Sequence, residues 1–87
     1  LWIKNTNPEQ LEERLRATLY KAGFIILDKM DYHFEPQGYT LLFMLGESHL
    51  AAHTFPEENS TYIELSSCVK KPFDAFISKL ISEKVLL

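Results

Sequence analysis

Residues 39–55 read YTLLFMLGESHLAAHTF. Tyr39 to Leu45 is an aromatic and aliphatic run of strand length. Gly46-Glu47-Ser48 is short and polar, suited to a turn. A second strand returns from 49 to 55, and alternate side chains of an extended segment share a face. His49, Ala51, His53 and Phe55 therefore point one way, and Leu50, Ala52 and Thr54 form the apolar side. Strands joined by so few residues pair antiparallel.

Working outward, the polar stretch Pro56-Glu57-Glu58-Asn59-Ser60 leads into a further strand over 61–68. There Tyr62, Glu64, Ser66 and Cys68 share a face opposite Ile63, Leu65 and Ser67, so the thiol falls on the more polar side. On the other flank, 24–28 is a short apolar strand, which Tyr32-His33-Phe34 extends towards the turn at Pro36-Gln37-Gly38. Asn7-Pro8-Glu9-Gln10 reads as a helix start: Asn7 caps, Pro8 suits the first helical position, and Gln10 reaches back as in a capping box. Leu11, Leu15, Thr18, Leu19 and Ala22 mark one face, and Gly23 offers a left-handed stop, which predicts a helix over 8–22.

Pro72 opens a second helix, with Phe73, Phe76, Ile77, Leu80 and Ile81 on its core face. With 1–4 as the remnant of a first strand, the order is β-α-β-β-β-β-α. Hairpin-like connections dominate. The expectation is one α+β domain over 1–87, a mostly antiparallel sheet with two helices packed on one face.

A chain of 87 residues buries only somewhat over roughly 60% of the surface its unfolded form exposes, so self-association would help it. Nine basic against twelve acidic side chains give a net charge of −3, without the basic stripe that phosphate neutralisation demands, which argues against nucleic acid. The longest apolar run, Leu41 to Leu45, is far shorter than the roughly 18 residues of a membrane helix. Cys68 is the only cysteine, so no internal disulfide forms and the cytoplasm is the expected compartment. The chain begins at Leu1 and not at Met, so the native start is expected upstream and the first strand truncated.

The segment GESHLAAHTFPEE, residues 46–58, crowds two histidines, a serine and several carboxylates together. Geometry counts against a metal site built from His49, His53 and Cys68, which only a helical segment would bring together. Histidines four apart in a strand are separated by roughly 13 Å, too far to share an ion at bonds of about 2 Å. A Ser-His nucleophile pair, oriented by Glu57 or Glu47, has the residue types. However, Leu50 stands where a nucleophile elbow needs its second glycine. The same residues also read as a plain turn, two solvated strand histidines and a small hydrophobe at Cys68. Residue types alone favour this last reading.

The joint pattern is more specific than any of its parts. GESHLAAHTFPEE, followed by a cysteine twenty residues after Ser48, resembles the signature of the prokaryotic S-adenosylmethionine decarboxylases, typically ESH-x3-HTWPE. PQG upstream and PFDAF downstream fall where that family has similar segments, so the likeness covers nearly the whole chain. Phe55 replaces the usual tryptophan, Thr40 the usual serine, and Val69-Lys70 the common Gly-Asp.

The resemblance implies a protein that makes its own cofactor. Ser48 would attack the carbonyl of Glu47, converting the amide to an ester, and β-elimination would cut the chain between 47 and 48, leaving a pyruvoyl group derived from Ser48. His53 would be the base for that elimination, and Thr40 the accompanying hydroxyl residue. Loss of carbon dioxide from an α-amino acid needs an electron sink, which a carbonyl condensed with the substrate amine supplies. Cys68 would reprotonate the product, with no metal required. Phe34 would stack on adenine and Glu57 hold the ribose hydroxyls, with Phe55 beside them. The sites would lie between the protomers of a homodimer, serving polyamine (spermidine) biosynthesis. The alternatives are a homologue acting on arginine or ornithine, or an unprocessed partner protein with a binding or regulatory task.

Overall fold

The computed structural model of the chain describes residues 1–83, so residues 84–87 of the expected domain lie outside the described residues. The element order is β1 (Trp2–Ile3), α1 (Pro8–Ala22), β2 (Ile26–His33), β3 (Tyr39–Leu45), β4 (Ser48–Phe55), a 3-10 turn (Pro56–Glu58), β5 (Ser60–Ser67) and α2 (Lys70–Ser82). The five strands form one sheet in the order β1-β5-β4-β3-β2, antiparallel throughout.

Helix α1 runs over the expected span, and its ends explain why. The Asn7 side chain accepts from the Gln10 N–H at 3.0 Å, and Gly23 closes the helix at a φ of 102° that other residues resist. The expected box differs in one detail: the Asn7 N–H donates to Asn5 Oδ1, and Asn5 Nδ2 in turn donates to Gln10 Oε1. Asn5 therefore does the reaching back.

The core fills the space between the helices and one face of the sheet. Leu11, Leu15 and Leu19 from α1, with Phe76 and Leu80 from α2, meet Leu41, Phe43, Leu50, Ile63 and Ile3, all fully or almost fully buried. Each such side chain contributes about 1.5–3 kcal/mol by leaving water. The alternation expected in β4 holds, with Leu50, Ala52 and Thr54 facing the helices.

Three boundaries move. The strand expected from 24, extended by Tyr32-His33-Phe34, runs instead as Ile26–His33, with an irregularity between Ile26 and Asp28. Its polar middle survives because Lys29 pairs with Glu12 of α1 at 3.0 Å and with Asp31 at 3.6 Å. Helix α2 begins at Lys70, two residues before Pro72, whose missing N–H falls in the first turn where no helical partner exists. Ile81, expected on the core face of α2, is 59% exposed. Finally, β5 ends at Ser67, so Cys68 lies beyond the strand and not on its polar face.

Candidate active site

The register places side chains of the helix-free face in rows. Thr40 lies opposite His53, and both are flanked by Tyr32 on β2 and Tyr62 on β5. Thr40 Oγ1 is 3.0 Å from His53 Nδ1, a direct hydrogen bond across the β3–β4 ladder. The start of β3 is pinned from both sides. The Tyr39 N–H donates to Thr54 Oγ1 at 2.8 Å, and the Tyr39 hydroxyl donates to Asp31 Oδ2 at 2.7 Å. Burial, then the bond to Asp31, pushes the Tyr39 phenol well above its ordinary range, so it stays a donor. The same bond, helped by Lys29, lowers Asp31.

A cleft of about 310 Å³ opens beside this pair, lined by Phe34, Gln37, Gly38, Tyr39, Thr40, His53, Thr54, Phe55 and Glu57. Small-molecule sites begin at about this size, roughly 300 Å³. Phe34 is presented by a tight turn in which its N–H donates to the Gly38 carbonyl at 2.9 Å. Gly38 carries a φ of 115°, and a Cβ there would meet the Phe34 Cβ at 3.6 Å. Glu57 stands exposed on the 3-10 turn that follows β4. Phe55 packs against Trp2, ring centroids 5.7 Å apart, and Trp2 against Tyr62 at 5.1 Å.

The other half of the expected constellation is elsewhere. Ser48 opens β4 while His53 sits five positions along it, roughly 17 Å away on the opposite face of the sheet. Ser48 is a cross-strand partner of Ser67, and its hydroxyl donates to Ser67 Oγ at 3.1 Å. Glu47, in the two-residue turn before it, holds a left-handed φ of 60°, a conformation costing a non-glycine residue about 1 kcal/mol. Cys68 follows Ser67 and is an exposed free thiol. Ser48 and Cys68 thus share one end of the sheet, and His53, Thr40, Phe34, Phe55 and Glu57 share the other. His49 projects from the open face opposite Met44 and Ser66, and with Ser48, Met30, Leu42 and Met44 it lines a second pocket of about 320 Å³. Sequence reasoning missed Ser67, whose signal was the direct pairing of two serines at neighbouring strand ends.

Among the described residues, no three His, Cys, Asp or Glu side chains are grouped to hold a metal ion, and no helix is long and apolar enough to cross a membrane.

This two-layer arrangement, five antiparallel strands under two helices, is the fold of a solved adenosylmethionine decarboxylase. The structure from Aquifex aeolicus superposes with a TM-score of 0.72 over 94% of this chain and 73% of its own, at 19% identity. The sequence model of S-adenosylmethionine decarboxylase matches residues 4–84. The chain belongs to that family. Among its relatives, the S-adenosylmethionine decarboxylase proenzyme of Parasynechococcus marenigrum is 34% identical over 74 residues, covering 78% of this chain and 58% of the relative. The proenzyme of Prochlorococcus marinus is 42% identical over 61 residues, 66% of this chain and 49% of the relative. The chain therefore spans about half the length of these relatives.

Proposed function

We propose that this chain is a self-cleaving, pyruvoyl-dependent decarboxylase whose substrate is S-adenosylmethionine, the product serving polyamine synthesis. One observation carries the reading. The Thr40–His53 pair lies in a cleft bordered by Phe34, Phe55 and Glu57, at the end of the sheet away from Ser48 and Cys68. Such a division suits a homodimer in which each site takes its halves from two chains.

The helix-free face supports the same arrangement. Met30, Leu42 and Met44 stand 73%, 40% and 58% exposed on it, with Tyr32, Phe55 and Trp2 around them. A monomer rarely leaves so contiguous an apolar surface in water. A second copy laid face to face covers it and brings the His53 end of one sheet to the Ser48 end of the other, where Ser48, although its register points it towards the helices, borders a pocket with Met30, Leu42, Met44 and His49.

In the first stage, Ser48 Oγ attacks the Glu47 carbonyl carbon. The C–N bond breaks, the hydroxyl proton ends on the Ser48 nitrogen, and an ester replaces the amide. His53 of the other protomer then takes the Ser48 Cα proton. The Cβ–Oγ bond breaks and Glu47 leaves as a carboxylate, while water replaces the nitrogen as ammonia. The residues present fit the resulting group: its precursor serine directly follows Glu47 with its left-handed φ, and Cys68 directly follows Ser67, the cross-strand partner of that serine. The pyruvoyl carbonyl supplies the electron sink for decarboxylation. Phe34 stacks on the adenine ring, Glu57 accepts from the ribose hydroxyls, and the Cys68 thiol returns a proton to the carbon that lost carbon dioxide. The whole chain acts as one domain, in the reducing cytoplasm where that thiol stays free.

Carbon dioxide release from S-adenosylmethionine, arginine and ornithine by a cleaved preparation tests the assignment. The nucleoside substrate is expected to turn over fastest. Faster release from either amino acid would overturn it while leaving the cleavage chemistry standing.

A further inference from the structure

A hydroxyl carries one hydrogen and two acceptor lone pairs. At Ser67 all three are in use. Its hydrogen goes to the Val69 carbonyl at 3.1 Å, and it accepts from the Val69 N–H at 3.0 Å and from the Ser48 hydroxyl at 3.1 Å. With its hydrogen on the Val69 carbonyl, Ser67 has none left for Ser48, and Ser48 donates. Among the described residues this is the only hydrogen bond of the Ser48 side chain, so both lone pairs of its oxygen are left free of donors.

Ser67 is also tied to the chain beyond it. Val69 is the residue that precedes α2, and its carbonyl accepts from the Phe73 N–H at 3.4 Å, in the first turn of that helix. The Ser67 hydroxyl is therefore tied through Val69 to the start of α2, and Cys68 lies inside the short loop that it closes.

We propose that Ser67 is a positioning residue for the cleavage of the 47–48 bond: held by the Val69 backbone, its hydroxyl takes up the hydrogen of Ser48 and aims the attacking oxygen. This rests on the self-cleavage reading above and extends it to a residue outside the ESH and HT-x-PE pattern. Ser67 leaves the covalent balance unchanged, because the Ser48 proton still ends on the Ser48 nitrogen as the C–N bond breaks. What it alters is the fraction of time the nucleophile spends in attacking geometry, to which rates are steeply sensitive. Its effect therefore falls on ester formation and not on the later elimination.

The test isolates that step with the full chain. In a His53→Ala background elimination is blocked and the ester accumulates, where hydroxylamine cuts it and intact mass counts it. Adding Ser67→Ala is expected to slow ester accumulation about tenfold, while Ser67→Thr, which keeps the hydroxyl and suits a strand, restores it. Thermal melting accompanies each variant. If the alanine chain does not fold, Ser67→Cys gives the comparison, being nearly isosteric with only weak hydrogen-bonding capacity. Equal ester rates with and without the Ser67 hydroxyl would overturn the proposal while the parent reading stood. An ester that never forms even with Ser67 intact would overturn both.

Discussion

Thr40 and His53 face each other across the β3–β4 ladder with Oγ1 and Nδ1 3.0 Å apart. For His53 to take a proton through Nε2, Nδ1 must carry the hydrogen and Thr40 must accept it. Thr40→Val keeps the shape but removes that acceptor, a loss of about 1 kcal/mol, and is expected to slow chain cleavage roughly fivefold. Thr40→Ser is expected to cleave at least as fast as the parent chain, since it keeps the oxygen and sheds a methyl. Time courses of intact mass check both, and an unchanged rate for the valine variant would remove Thr40 from the site.

On the proposed mechanism, the separation of Ser48 from His53 along β4 requires cleavage to draw on two chains. Neither Ser48→Ala nor His53→Ala should yield two fragments alone. Refolded together, they form mixed dimers in which His53 of the first variant reaches Ser48 of the second. Mass spectrometry is expected to show cleavage of the His53→Ala chain only. A mixture that stays whole would place the base within the same chain.

Cys68 stands outside the sheet as an exposed free thiol and takes no part in the bonds made and broken in the proposed acyl shift. Cys68→Ala should still produce two fragments, yet lose turnover on the order of a hundredfold, as removal of a general acid does. A wild-type turnover rate would return Cys68 to a merely surface role.

Much of this was legible from residue identity. Asn7-Pro8 and Gly23 bound α1 because capping and left-handed geometry are local properties. The alternation in 49–55 set the faces of β4 because strand periodicity is local too. The middle of β2 was not legible, because Lys29 is satisfied by Glu12, seventeen residues away. Nor was the start of α2, where Val69 offers no capping side chain. In the site, the residue types were visible, but the division into two ends depends on strand length and register. Ser67 escaped notice because its importance lies in which strand end it is paired with.

The polar network that joins α1, β2 and Tyr39 gives a pH signature. Bonds from Lys29, then Arg16, hold the Glu12 carboxyl below its ordinary value of 4.5, and the Tyr39 hydroxyl holds Asp31 below 3.8. Carboxyls lowered by folding stabilise the native state fully above those ordinary values and lose that contribution as pH falls through the lowered ones. The melting temperature is therefore expected to fall between about pH 5 and pH 3, less steeply in Asp31→Asn. The shift is small, because these groups are open to solvent. A slope unchanged by the substitution would show that Asp31 has no such role.

Everything proposed for this chain turns on the bond between Glu47 and Ser48, and the mass of the denatured protein reads it directly. Cleavage predicts two species, residues 1–47 and a fragment from position 48 onward that carries a pyruvoyl group and no free amino terminus. Ser48→Ala should leave one uncut chain. A wild-type chain that remains whole through long incubation, with no ester for hydroxylamine to cut, would contradict the decarboxylase account.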